Sequence, residues 1–244
     1  MRLDKYITET GLAVSRAKAQ EMLKNGDVLV DGVAVTKPAF EVSDGMCVTV
    51  AENPLQRYVG RGGLKLEGAL DTFGISPQGA VALDIGASSG GFTDCLLKRG
   101  AAFVYAVDSG TGQLHPSLLS DTRVCSMEGC NARTLTPDMF EKTPTFAVMD
   151  VSFISQTLIL PALRECMPLG GTFISLIKPQ FELGRSALGK GGIVKSEKLA
   201  RSAVDKVVDF ASSLGFTLIS HIPSPIRGGD GNLEFLAAFF LSAN

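Results

Sequence analysis

An α/β fold is predicted here. It is a doubly wound, Rossmann-like sheet of seven strands whose last strand runs antiparallel, preceded by a small α+β module. Three observations predict it. From Val81 onward, apolar runs alternate with helical segments, as expected when helices cover both faces of a parallel sheet. The last two apolar runs are joined only by "PSPIRGGDG", too short for a helical crossover, so they must pair antiparallel. The first fifty or so residues carry shorter, denser signals and end at "AENPLQRYVGRGG", whose Pro54 and glycines read as a linker. The division expected is residues 1–52, a linker at 53–63, and a second domain over 64–244.

In the first module, "RLDKYITETGL" places Leu3, Tyr6 and Ile7 at helical spacing and stops at Gly11. Ser15 is a good N-cap for "RAKAQEMLKNG", whose Ala19, Met22 and Leu23 form one apolar stripe and whose Gly26 closes the helix. "VLVDGVAV" is a hairpin with a type I′ signal at Asp31-Gly32, and "MCVTV" is a third strand. In the second module, parallel strands are expected at 81–86, 103–108, 122–127, 146–151 and 172–178. "SEKLARSAVDKVVDFASSLG" is an amphipathic helix between a Ser196 cap and a Gly215 stop, and "FTLISHIPS" and "LEFLAAFFL" are the closing strands.

Composition excludes several classes. The chain is 45% hydrophobic and 20% charged, ordinary for a globular protein, and no apolar run approaches the roughly 20 residues of a bilayer span. "MRLDKYITET" has no signal-peptide core. The five cysteines form no CxxC pair, and the two histidines, His115 and His221, stand apart, so no metal site or His-based triad is expected. A cytoplasmic monomer that does not engage membranes is expected. Net charge is −2, so any nucleic-acid contact must come from a local patch.

The first module resembles the S4-type RNA-binding domain through "MRLDKYI" and "SRAKAQEMLKNGDVLVDG". The resemblance implies that its two helices face structured RNA, with Arg2, Arg16, Lys18 and Lys24 at the basic positions. Arg16 and Lys18 also open a helix, whose free amides favour phosphate. Residues 1–65 hold nine Lys/Arg against eight Asp/Glu, a balance of +1, so the pattern carries this reading rather than bulk charge.

The strand "VALDIG" runs into "ASSGGFTDCLL", a turn of glycines that opens a helix. Glycines let the backbone turn and approach a ligand closely. Asp108 ends the next strand, where a carboxylate can take ribose hydroxyls. The loop reads G-x-x-x-G-G and not G-x-G-x-x-G, which argues against a dinucleotide. It resembles the loop of S-adenosylmethionine-dependent methyltransferases, and the closing hairpin suits their sheet. The resemblance implies a cofactor set of Asp84, Gly86, Ser88, Gly90, Gly91 and Asp108, with Glu128 or Asn131 near the adenine and Asp150 beside the methyl group.

Ligands of such sheets bind at the carboxyl ends of the strands. That edge gathers Asp150 near the end of the fourth strand, Lys178 ending the fifth, and Glu234 starting the reversed seventh; Lys65 lies in the helix after the linker. This set resembles the Lys-Asp-Lys-Glu tetrad of FtsJ-like RNA ribose 2′-O-methyltransferases. With "YVGRGGLKL", "MDVSFIS", "LIKPQFE" and "SPIRGGDGNLEF", the whole chain resembles the TlyA family of S4-plus-methyltransferase proteins, also named haemolysins. The resemblance implies methylation of ribosomal RNA, typically at cytidine, and a ribosomal subunit as partner.

A ribose 2′-hydroxyl is a weak nucleophile and needs a base as it attacks in line. Lys178 is the expected base. It must shed its proton to act; Lys65 and the cofactor sulfonium favour the loss, Asp150 and Glu234 oppose it, and the sequence leaves open which prevails. Pro179 restricts Lys178 to extended backbone and cannot extend the ladder. Arg57 and Arg61 bracket "YVG" just ahead of Lys65, so RNA on the first module is expected to reorganise this segment and seat Lys65. The rival readings are a pore-forming haemolysin, an RNA-binding protein that has lost catalysis, and an enzyme on another substrate such as a protein or a small molecule.

Overall fold

The computed structural model describes residues 1–50 and 57–242; positions 53–56 of the expected linker lie outside them. The chain divides into two compact units, Met1–Arg57 and Tyr58–Asn244.

The first unit opens with α1 (Leu3–Glu9) and α2 (Arg16–Asn25). The Ser15 hydroxyl accepts the Lys18 N–H (3.2 Å), and Gly26 closes α2 at φ +79°. A three-stranded antiparallel sheet follows: β1 (Val28–Val30) between β2 (Val33–Ala34) and β3 (Val48–Val50). Asp31 (φ +49°) and Gly32 (φ +80°) are both left-handed, as a type I′ turn requires. Leu3, Ile7, Ala19, Leu23 and Val28 are fully buried and form the core of this unit.

The second unit opens with α3 (Gly62–Phe73), which begins inside the segment read as linker. Tyr58, also in that segment, is buried in the core of the second unit, and its ring occupies the space a side chain on Gly63 would need. From Tyr58 onward the segment is therefore packed structure. The elements then run β4 (Val81–Ile85), α4 (Gly91–Lys98), β5 (Phe103–Val107), α5 (Pro116–Leu119), β6 (Val124–Met127), β7 (Phe146–Met149), α6 (Leu160–Cys166), β8 (Thr172–Ile177), α7 (Pro179–Glu182), α8 (Glu197–Ser213), β9 (Phe216–Pro223) and β10 (Phe235–Leu241). The sheet order is β6-β5-β4-β7-β8-β10-β9. β10 pairs antiparallel with both β8 and β9, and every other pairing is parallel.

Alternate residues along each strand feed two cores. Leu83, Ile85, Ala147, Met149 and Phe173 pack under α6 and α8, and Ala82, Val104, Val148, Ile174 and Leu236 pack under α3 and α4. The chain turns outward in opposite directions after β4 and β7, so the switch point lies where Gly86 and Asp150 leave the sheet. Two sequence expectations shift by a residue. Lys178 lies just beyond β8 and is the N-cap of α7, in extended backbone (φ −107°, ψ 98°), and Glu234 lies just before β10.

Candidate active site

Two cavities open at the carboxyl edge of the large sheet and share a wall of Gly86, Ser88, Asp150 and Ser152. The first, of about 280 Å³, is lined on its far side by Arg61, Lys65, Lys178 and Arg227. The second, of about 400 Å³, runs past Asp108, Cys130 and Asn131 to Phe153.

Two ion pairs stand at the first cavity. The Lys178 ammonium lies 2.6 Å from Asp150 Oδ1 and donates to the Ser152 hydroxyl at 2.8 Å. The Lys65 ammonium meets Glu234 Oε2 at 2.5 Å, with both side chains buried. The four residues expected at this edge are therefore brought together as two cation–carboxylate pairs. Gly228 lets the chain pack directly over Glu234: a Cβ there would stand 2.5 Å from Glu234 Oε1.

The glycine turn is built by close approach. A Cβ on Gly86 (φ +85°) would stand 2.3 Å from the Asp150 carbonyl oxygen, so no other residue lets β4 and β7 part here. Ser88 is also left-handed (φ +49°), and its N–H donates to Asp108 Oδ2 (2.8 Å). Asp108 Oδ1 accepts the Gly110 N–H (2.7 Å). Each carboxylate oxygen keeps a lone pair for a ligand hydroxyl.

Three expected cofactor residues line neither cavity. Gly90 (φ +94°) makes room for Leu118, whose Cδ1 lies 2.2 Å from where a Cβ would sit. Glu128 is spent on the loop after β5: its carboxylate accepts the N–H groups of Gly112, Gln113 and Leu114 at 2.7–3.0 Å, which hold it below the usual glutamate range. Asn131 is the one of the alternative pair that reaches the second cavity. Gly91 lines the first cavity and packs 3.0 Å, at its Cβ position, from the Gly60 carbonyl oxygen.

Asp84 is fully buried behind the turn. Its Oδ2 accepts the Thr93 hydroxyl (2.6 Å), while Oδ1 has no hydrogen-bond partner among the described residues. Burial pushes its carboxyl up to about 7, against the Thr93 bond and with help from Asp150 and Asp108. The sign of the pH effect follows. Between the unfolded value, 3.8, and about 7 the folded chain holds a proton that the unfolded chain has released. Stability is therefore expected to fall as pH rises through that window, by at most about 1.4 kcal/mol per pH unit. Subtracting the urea stability of Asp84→Asn from that of the wild type isolates the slope; a flat difference from about pH 4 to about pH 7 contradicts the assignment.

In the first unit, the fully buried Asp4 gathers two of the predicted RNA residues. It accepts from Arg2 Nε and Nη2 (3.1 Å each) and from Arg16 Nε (3.2 Å) and Nη2 (3.1 Å). The Arg2 hydrogen bonds, then those of Arg16 against the effect of burial, hold Asp4 far below the usual aspartate range. The pattern of the sequence marked both arginines but not the acid that aims them. Lys18 pairs with Glu21 (3.0 Å), and Lys24 and Arg57 are exposed.

The sequence reading also missed Ser152, Phe153 and Arg227. Phe153 is left-handed (φ +63°), 91% exposed at the rim of the second cavity, and rests on the Phe181 ring at 4.9 Å. An exposed phenylalanine in left-handed backbone is a feature visible only in three dimensions.

Residues 58–240 match the FtsJ-like methyltransferase family, and residues 1–48 match the S4 domain. Hemolysin A of Brachyspira hyodysenteriae is 44% identical, over 99% of this chain and 100% of its own length. The 16S/23S rRNA (cytidine-2'-O)-methyltransferase TlyA of Mycobacterium tuberculosis is 43% identical, over 96% of this chain and 87% of its own. A solved structure from Streptococcus thermophilus, described as a hemolysin, is 43% identical with TM-score 0.77, covering 100% of this chain and 89% of that one.

Proposed function

The chain belongs to the FtsJ-like methyltransferase family, with TlyA among its near full-length relatives, and from this we propose that it methylates ribose 2′-hydroxyls of ribosomal RNA, at cytidine, using S-adenosylmethionine. The observation that carries the reading is the pair of lysine–carboxylate contacts at the seam of two adjoining cavities.

The second cavity suits that cofactor on chemical grounds. The cradle at Gly86 tolerates no Cβ, Asp108 offers two hydrogen-bond acceptors for a ribose diol, and Asn131 and Ile154 line the way to an apolar floor. When bound, S-adenosylmethionine supplies an electrophilic methyl group on a cationic sulfur. The remaining work falls to side chains. Arg61 and Arg227 give the mouth of the first cavity a positive field for the phosphates of an RNA strand. Lys178 lies at the shared wall, and as a free amine its Nζ takes the proton of the 2′-hydroxyl. Asp150 and Ser152 fix where that nitrogen points. Lys65 is held by Glu234 beside the same cavity, where its cationic head supports the oxygen on which negative charge gathers. Phe153 presents a flat apolar face on which a displaced base can stack.

The function is tested by incubating the chain with methyl-labelled S-adenosylmethionine and ribosomal subunits lacking the modification, then mapping 2′-O-methyl positions. Label is expected in ribosomal RNA, on the 2′-oxygen of cytidine. Asp108→Ala is expected to weaken cofactor binding by roughly 10- to 100-fold in calorimetry, the loss of one charge-assisted contact worth about 1.5–3 kcal/mol. Label on protein or on nothing overturns the proposal. Among the described residues no helix is long and apolar enough to cross a membrane, and the name haemolysin gains no support from the two paired lysines.

A further inference from the structure

Glu182 closes the stretch "LIKPQFE" and has no part in the chemistry above. It is 5% exposed, and an acid that deep is costly unless it is satisfied. Both carboxylate oxygens serve one segment. Oε2 accepts the Ser155 hydroxyl (2.5 Å), and Oε1 accepts the Gln156 backbone N–H (2.8 Å). The Lys206 ammonium lies 3.8 Å from Oε2 and donates to the Glu182 carbonyl (2.6 Å). Gln156 extends the fastening inward: its side-chain N–H donates to the Leu176 carbonyl (2.7 Å), and its oxygen accepts the Ser175 hydroxyl.

The segment that leaves β7 is thus tied at its far end to β8 and α7, the two elements on either side of Lys178. Its near end is tied by the Asp150 N–H, which donates to the Ile85 carbonyl (2.9 Å). Between these ties lie Asp150 and Ser152, both in contact with the Lys178 amine, and the left-handed Phe153. Such a conformation costs on the order of 1–3 kcal/mol and persists only where the surroundings over-determine it.

We infer that Glu182 is a positioning residue for methyl transfer: it holds the 150–156 segment in the conformation that lets Asp150 and Ser152 meet the Lys178 amine and completes the wall between the cavities. The activity readout rests on the function proposed above; the geometric one does not. A carboxylate serving only the packing of α7 on α8 would make its hydrogen bonds to α8, whereas here, among the described residues, both oxygens accept hydrogen bonds from the 150–156 segment and α8 contributes only the longer Lys206 pair.

The test uses Glu182→Ala, Glu182→Gln and Ser155→Ala in the full chain, with two readouts. One is single-turnover methyl transfer to ribosomal subunits. The other is the nitrogen-15 side-chain signal of Lys178, identified by its loss in Lys178→Met. Glu182→Ala is expected to lower turnover by on the order of 10²-fold at equal folded fraction, with KM for RNA little changed, and to move the Lys178 signal. Glu182→Gln keeps an acceptor for the Gln156 N–H and recovers most of the rate; Ser155→Ala falls between. A folded Glu182→Ala with wild-type turnover and an unmoved signal overturns the inference. So does a loss that tracks only the folded fraction across the three variants. If the wild type transfers no methyl to any ribosomal RNA while Glu182→Ala still moves the Lys178 signal, the proposed function fails and the positioning role stands.

Discussion

Lys178→Ala is expected to lower methyl transfer by on the order of 10²- to 10⁴-fold, the usual contribution of a positioned general base, which is the role proposed for it. The fold should survive the change. Lys178 lies at a cavity wall, and its partner Asp150 lines both cavities, so removing the lysine side chain lets cavity water approach the acid left behind. Lys178→Arg is the sharper variant. Arginine keeps the positive charge and the reach but does not give up its proton, so it preserves a cationic anchor and abolishes a base. Equal inactivity of both variants, with cofactor affinity near wild type, is the expected result of single-turnover and calorimetric measurements. An active Lys178→Arg would reassign Lys178 from proton acceptor to electrostatic anchor.

Glu234→Ala is expected to cost about 3–5 kcal/mol of folding stability, a large share of the roughly 5–15 kcal/mol of a typical domain. The reason is the ammonium left behind: Lys65 is 8% exposed and would be buried without a counter-charge. Urea denaturation followed by circular dichroism measures the loss. The double variant Lys65→Met/Glu234→Leu, which removes both charges, is expected to regain most of the stability and none of the activity. That split separates what the pair does for the fold from what it does for the reaction. A Glu234→Ala chain as stable as the wild type would mean that water reaches Lys65.

Much of this was legible in the residues. The two periodicities, 2 and 3.6, and the turn chemistry of Asp31-Gly32, Ser15 and Gly26 act locally, so they survive translation into structure nearly unchanged. The short final connection dictated the antiparallel β10. Topology put Asp150, Lys178 and Glu234 on one edge through strand ends of known direction, and the resemblance to FtsJ-like enzymes joined Lys65, on α3, to them. Side-chain choices made in three dimensions were not legible. Glu128 and Asn131 sit in the same loop with the same polarity, and only the fold of residues 112–114 decides that one is consumed by backbone N–H groups and the other reaches the cavity. Gly90 looked like room for a ligand and is room for Leu118. From Tyr58 onward the expected linker is packed for a similar reason. Glycines and a proline suggest a tether, whereas Gly60 and Gly63 are there so that backbone and the Tyr58 ring can pack against them.

Lys65 and Glu234 are 169 residues apart in the chain. Their meeting requires β10, which lies between β8 and β9 in the finished sheet, to be in place. On a translating ribosome, at about 5–20 residues per second, Lys65 emerges roughly ten to thirty seconds before its partner. Until then a nascent chain can hold a finished S4 domain and the parallel strands of the sheet without the second ion pair. A truncated or stalled product that lacks Glu234 also lacks this pair and is expected to transfer no methyl.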